Sequence, residues 1–226
     1  MWDAPLSHHR EAETRRSIVE ACRSMNALGL NQGTSGNISV RSPTGLLITP
    51  SGLPYDAMMP DDIVPMQLDG SHDHALAPSS EWRFHRDILT ARPEIGAIVH
   101  AHPIYATAFA ICGQDIPAIH YMIAAAGGPN VRCGAYATFG TPELSRAALA
   151  ALEGRNCCLL ANHGMIATGP TLGKAMWLAV ELETLCRQYA VALQIGAPRV
   201  LPDDEIARVV EKFRSYGPRP RTADAS

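Results

Sequence analysis

His100 and His102 stand two residues apart in the apolar run EIGAIVHAHP. A β-strand has a period of two, so both imidazoles fall on one face. Such a pair suits a zinc ion, whose catalytic sites take three protein ligands and keep one position open. The alternative is one core His and one solvated His. His163 follows the apolar stretch CCLLAN, where a strand end aims it at a cleft, and Gly164 lets the backbone turn tightly. Glu81 lies in the opening turn of a helix, in PSSEWRFH. It reads either as a surface carboxylate complementing the helix dipole or, beside a metal, as a resting ligand that becomes a base. The other six of the nine His read as ordinary. His8, His9, His72 and His74 lie in polar segments, and His85 and His120 are expected as packed or hydrogen-bonded rings.

Three loops offer hydroxyls and backbone N–H groups to an anion. Ser79 and Ser80 precede the helix of Glu81, where either can cap it. GTSGN presents Thr34, Gly36 and Asn37, and TPSG presents Ser51 and Gly52. Glycines let N–H groups approach a phosphate closely, although most such loops are plain turns. Neither loop fits GxxxxGK[ST] or GxGxxG, so nucleotide binding is not supported.

The elements that position these residues follow from periodicity. Ile18, Val19, Cys22, Met25 and Leu28 predict a helix from Ser7 to about Leu30. NISVR and LLIT predict a hairpin, and PDDIVPMQLDG a further strand. A helix ending at Pro93, the strand of His100, and a helix from about Pro103 to Cys112 come next. IPAIHYMIAAAGG is ambiguous, and VRCGAYA predicts a strand. TPELSRAALAALEG predicts a helix with Thr141 as N-cap and Pro142 at its first position. NCCLLANHG and MIATG predict two strands, followed by a long helix and a short last one. Adjacent strand pairs argue for antiparallel pairing, giving an α/β fold with a mixed or antiparallel sheet between helices. A single domain over 1–226 is expected, with flexible tails at about 1–8 and 218–226.

With 226 residues, 46% of them hydrophobic and 18% charged, the composition is that of a chain with a substantial core. A net charge of −3 excludes a basic face for nucleic acid or anionic membranes. His and Pro interrupt the most apolar long stretch, and the N-terminus is polar, so neither a membrane span nor a targeting segment is expected. Six Cys without CxxC spacing suit thiols in a reducing compartment, and the protein is expected to be cytoplasmic.

Eight stretches in chain order, NQGTSGNISVR, LLITPSGLPY, PSSEWRFH, VHAHP, IPAIHYMIAAAGG, YATFGTPELS, NHGMIA and EKFRSYG, resemble the class II aldolase and adducin family, nearest its bacterial L-fuculose-phosphate aldolases. The resemblance implies a single αβα domain with a central, largely antiparallel sheet, assembled as a homotetramer with active sites between subunits. It implies one Zn²⁺ per subunit on His100, His102, His163 and Glu81, with Glu81 also as acid/base. It places the substrate phosphate on Thr34, Gly36, Asn37, Ser51, Gly52, Ser79 and Ser80. Tyr121 would enter the neighbouring subunit's site as a proton donor and acceptor, and Phe139, Phe213 and Tyr216 would line the aldehyde end. The implied reaction is cleavage of L-fuculose 1-phosphate, with 5-deoxyribulose 1-phosphate or 5-methylthioribulose 1-phosphate as alternatives. More distant alternatives are a phosphosugar epimerase or decarboxylase and a non-enzymatic adducin-like interaction domain. Ser35 and Ser51 stand where Ala and Thr are frequent in the family, and Asn162 where His is common.

Overall fold

The computed structural model describes residues 4–214. Seven strands form one open sheet in the order β3-β2-β1-β4-β7-β6-β5. They are β1 (Asn37–Ser42), β2 (Gly45–Ile48), β3 (Val64–Gln67), β4 (Ala97–Ala101), β5 (Cys133–Gly134), β6 (Cys157–Leu160) and β7 (Gly164–Gly169). Only β5 and β6 pair in parallel; every other neighbouring pair is antiparallel. The six α-helices are α1 (Ala4–Ala27), α2 (Trp82–Ala91), α3 (Ile104–Ile111), α4 (Pro142–Ala151), α5 (Leu172–Ile195) and α6 (Asp203–Arg214).

The strand period divides the core in two. Val99 and Ala101 of β4, Leu159 of β6 and Met165 of β7 face α1, α3, α5 and α6. Ile98, Leu160 and Ile166 face α2 and α4 on the other side. Asn37, Ser39 and His100 belong to this second face by alternation, and the register sets Asn37 directly opposite His100 across β1 and β4. Polar residues therefore cluster where α2 crosses the sheet. Phe84 of α2 fills the space beneath them, stacked on His85 at 4.6 Å and edge-on to His100 at 5.3 Å. Burying such a ring contributes about 1.5–3 kcal/mol.

Local chemistry sets the helix ends. Thr141 Oγ1 accepts from Leu144 N, with Pro142 at the first helical position, as the sequence predicts for α4. The carboxylate of Glu183, on α5, accepts from Tyr105 N and Ala106 N and so caps α3 from outside. The cap of α2 differs from expectation. Glu81 itself is the N-cap residue, and Ser79 Oγ, two residues earlier, accepts the Glu81 N–H at 3.3 Å. Ser79 is held to the end of β2 by its N–H on Thr49 O, so its hydroxyl stays ahead of the helix.

Two further segments depart from the sequence reading. VRCGAYA contributes only Cys133–Gly134 to the sheet: Arg132 O and Gly134 O accept from β6 and its flank, Asp115 takes the outward Cys133 N–H, and the chain leaves the sheet beyond Gly134. The ambiguous IPAIHYMIAAAGG forms a 3-10 helix over Tyr121–Ala126, opened by His120, whose ring accepts from Met122 N. All six Cys are free, four of them buried. No helix among the described residues is long and apolar enough to cross a membrane.

Candidate metal centre

His100 ends up fully buried on β4, and its Nδ1 donates to Met165 O at 2.8 Å across the β4–β7 pair. That bond fixes the tautomer and leaves Nε2 with a free lone pair, as in metal-ligating His. His102 lies just beyond β4, where its backbone N–H donates to Asn31 Oδ1 at 2.8 Å. His163 sits at the tip of the β6–β7 hairpin. The turn is made by Asn162 at φ 55°, a left-handed conformation that Asn tolerates better than most residues. Gly164 must lack a side chain, because a Cβ there would lie 2.6 Å from Ala101 O. The three rings form a nearly equilateral triangle with centroids 4.7, 4.8 and 4.9 Å apart.

Glu81 enters this triangle from the start of α2. Its Oε2 lies 3.1 Å from His100 Nε2 and accepts from Asn37 Nδ2 at 2.9 Å. Its Oε1 is buried and 3.2 Å from His163 Nε2, but oriented so that no hydrogen bond forms. His102 Nε2 and His100 Nε2 approach within 2.9 Å. One ligand atom from each of the four residues lies within 4.8 Å of the others. Buried polar atoms left this close and partly unpaired fit a shared cation, and a carboxylate with three imidazoles is the donor set a divalent transition ion takes.

The charge pattern agrees. Burial alone would raise the Glu81 carboxyl, but His100, His163 and the Asn37 amide outweigh it and hold it well below the carboxylate range. Burial would lower His100, yet Glu81 overcomes this and raises it. Burial, joined by the neighbouring His100, pushes His102 down to about 3 and His163 down to about 4. The cluster thus presents an ionised carboxylate and neutral rings at His102 and His163, the forms that ligate metal, while at His100 the Glu81 carboxylate favours a proton that a bound cation would displace.

A cleft of about 440 Å³ opens on the cluster. Glu81, His102 and His163 line it, while His100 lies behind them. Thr34, Gly36, Asn37, Ser51, Gly52, Ser79 and Ser80 converge on the same cleft from three separate loops. Gly36, at φ 77°, is pressed against β4: a Cβ there would stand 2.6 Å from His100 O. Asn31 holds this loop in place, its amide donating to Ser35 O while its carbonyl takes the His102 N–H. Hydroxyls and backbone N–H groups beside a cationic centre can hold an anion without any Lys or Arg.

The residues expected at the aldehyde end, and Tyr121, divide. Phe139 lines the cleft and is 64% exposed. Tyr121 is half-exposed on its 3-10 helix and is not among the residues lining this chain's own cleft. Phe213 packs against the core on α6, and Tyr216 lies outside the described residues. Sequence reasoning missed Tyr136 and Ala137, which line the cleft beside Phe139, because VRCGAYA read as strand throughout. Asn31 and His85 were also missed as parts of the site, because their partners are distant in sequence.

Comparison with known proteins agrees with this geometry. Residues 16–190 match the Class II Aldolase and Adducin N-terminal domain family. The chain is 57% identical over 203 residues to the 5-methylthioribulose-1-phosphate/5-deoxyribulose-1-phosphate aldolase of Rhodospirillum rubrum, covering 90% of this chain and 92% of that protein. It is 50% identical over 205 residues to the L-fuculose phosphate aldolase of Escherichia coli, covering 90% and 95% respectively. A solved L-fuculose 1-phosphate aldolase superposes with a TM-score of 0.87 at 39% identity, covering 89% of this chain and 96% of that one. The four-residue cluster, the seven-stranded sheet and these relatives lead to one conclusion: the chain belongs to the class II aldolase and adducin family and is a metal-dependent aldehyde-lyase.

Proposed function

We propose that this chain is a zinc-dependent aldolase that cleaves a ketose 1-phosphate to dihydroxyacetone phosphate and an aldehyde. The observation that carries the reading is the Glu81, His100, His102 and His163 cluster opening directly onto a cleft of hydroxyl and N–H groups. Those four residues would hold Zn²⁺, which would supply Lewis-acid stabilisation for the negative charge that carbon–carbon cleavage leaves on the ketone half. Thr34, Gly36, Asn37, Ser51, Gly52, Ser79 and Ser80 bind the phosphate and so orient the chain of the sugar; such positioning lowers a barrier by up to about 7–11 kcal/mol. The C3–C4 bond breaks as the C4 hydroxyl proton passes to Tyr121 of a neighbouring subunit. Glu81, ionised at rest, takes up a proton from solvent and delivers it to C3 of the resulting enediolate, and in synthesis it removes that proton.

The half-exposed position of Tyr121 outside its own chain's cleft supports a site shared between copies of this chain, which the family resemblance extends to a homotetramer. We take the whole chain as one αβα domain. The six free thiols support a cytoplasmic location.

The identity of the aldehyde rests on the far side of the cleft. Tyr136, Ala137 and Phe139 make that end largely apolar, which suits a methyl or methylthio terminus. The 57% relative supports 5-deoxyribulose 1-phosphate or 5-methylthioribulose 1-phosphate. The 50% relative supports L-fuculose 1-phosphate, whose aldehyde product, L-lactaldehyde, carries one more hydroxyl. Release of dihydroxyacetone phosphate from these three ketoses tests the choice. A kcat/KM for L-fuculose 1-phosphate above the other two reverses the preference, and no release from any of them ends the reading.

A further inference from the structure

His85, expected as an ordinary packed or hydrogen-bonded ring, occupies the centre of a four-residue ladder behind the cleft. Glu81 and His85 are four residues apart around the start of α2, so they lie on one side of the helix. Asn37 and Ser39 are two apart on β1, so they lie on one face of the strand. Where the helix crosses the strand, the two pairs interlock. Ser39 Oγ is 2.8 Å from His85 Nδ1, His85 Nε2 is 2.5 Å from Asn37 Oδ1, and Asn37 Nδ2 is 2.9 Å from Glu81 Oε2. His85 is fully buried and stacked on Phe84.

The direction of every bond follows from one end. An ionised Glu81 only accepts, so Asn37 must turn its NH₂ toward it. The Asn37 carbonyl then faces His85 and needs a donor, which places the ring proton on Nε2. Nδ1 is left as the acceptor for the Ser39 hydroxyl. The opposite tautomer would draw the Asn37 NH₂ toward His85 and set its carbonyl against the carboxylate. Burial, with the nearby His100, pushes the His85 pKa down to about 3, in keeping with a neutral ring.

We infer that His85 is a positioning residue for the proton-transferring carboxylate: held by Ser39, its Nε2–H fixes the Asn37 amide so that the NH₂, and not the carbonyl, faces Glu81. This rests on the aldolase reading above. Asn37 also stands opposite His100 across the sheet and lines the cleft, so one amide orientation serves both the carboxylate and the substrate side.

Nitrogen-15 histidine spectra of the metal-free and zinc-loaded protein test the ladder directly. The expected result is a neutral His85 protonated at Nε2 from pH 5.5 to 9; protonation at Nδ1, or a ring that titrates in that range, overturns the inference. Two zinc-loaded variants test the consequence through solvent hydrogen exchange into dihydroxyacetone phosphate, with zinc affinity read by chelator competition. His85→Leu is expected to slow exchange about 10–100-fold, the usual effect of losing an outer-shell partner. His85→Gln, which can still donate to Asn37 Oδ1, is expected to recover most of that loss. A merely structural ring predicts the reverse order or equality, because Gln loses the Phe84 stack and fills the space no better than Leu. A folded His85→Leu that exchanges at the wild-type rate also overturns the inference. Absence of exchange in the wild type counts against the aldolase reading instead, and leaves the tautomer measurement standing.

Discussion

Gly36→Ala separates two costs that the structure assigns to one residue. Gly36 and Gly33 both adopt left-handed backbone conformations, at φ 77° and φ 61°. For an L-residue that conformation costs about 1–2 kcal/mol. At Gly33 a Cβ meets nothing within 4 Å, so Gly33→Ala should show this conformational cost alone. At Gly36 the Cβ would also meet His100 O at 2.6 Å and crowd the Asn31 amide. Overpacking of that kind adds about 1–3 kcal/mol. Urea unfolding at neutral pH should therefore give a loss of about 2–5 kcal/mol for Gly36→Ala and about 1–2 kcal/mol for Gly33→Ala. The loop relieves the clash by moving away from β4, which withdraws its N–H groups from the proposed phosphate position. A lost charge-assisted hydrogen bond is worth about 1.5–3 kcal/mol, so KM for a ketose 1-phosphate should rise by roughly 10–150-fold in Gly36→Ala and stay near wild type in Gly33→Ala. Equal losses of stability in the two variants, or an unchanged KM in Gly36→Ala, would refute the reasoning.

Three further outcomes follow from the site. Glu81→Gln should fold and retain zinc on three His while hydrogen exchange into dihydroxyacetone phosphate falls about 10²–10⁴-fold, the contribution of a positioned acid/base group; wild-type exchange with normal zinc content would remove Glu81 from that role. Tyr121→Phe should slow carbon–carbon cleavage far more than exchange, since its proton belongs to the C4 hydroxyl; equal slowing of both would contradict the assignment. His85 makes stability pH-dependent. Its folded pKa of about 3 lies below its ordinary 6.5, so the unfolded chain takes up a proton that the folded chain refuses. The stability present above pH 6.5 is then lost as pH falls toward 3, by about 2 kcal/mol at pH 5. In urea titrations the wild type should lose that much more than His85→Leu between pH 7.5 and pH 5, while the shared contributions of His102 and His163 cancel in the difference.

The four-residue cluster was legible where it obeyed a period. His100 and His102 share a strand face, and His163 follows an apolar strand, so local sequence singled out three of its four residues. Glu81 was ambiguous because a Glu near a helix start has an ordinary electrostatic reason to be there. Only the fold shows that it is the N-cap residue and turns inward toward three imidazoles. The three loops of the cleft were readable from composition, but their convergence depends on the β1–β4 register, which no local pattern specifies. His85 looked like a packed ring because the partners that give it direction, Asn37 and Ser39, lie 48 and 46 residues away. Asn31, which ties the GTSGN loop to His102, is 71 residues from the group it holds. VRCGAYA has β-prone residues, yet its pairing ends after two residues as Tyr136 and Ala137 turn to the cleft.

The central claim is that the cluster of Glu81, His100, His102 and His163 is a metal site serving aldol cleavage. Its most direct test is the release of dihydroxyacetone phosphate from 5-deoxyribulose 1-phosphate by the protein as isolated, after exhaustive chelation, and after zinc is restored, beside His102→Ala treated in the same way. The account predicts cleavage by the isolated protein, its loss on chelation, its return with zinc, and no recovery in His102→Ala. Cleavage that persists in the fully demetallated wild type, or a fully active His102→Ala, would contradict it.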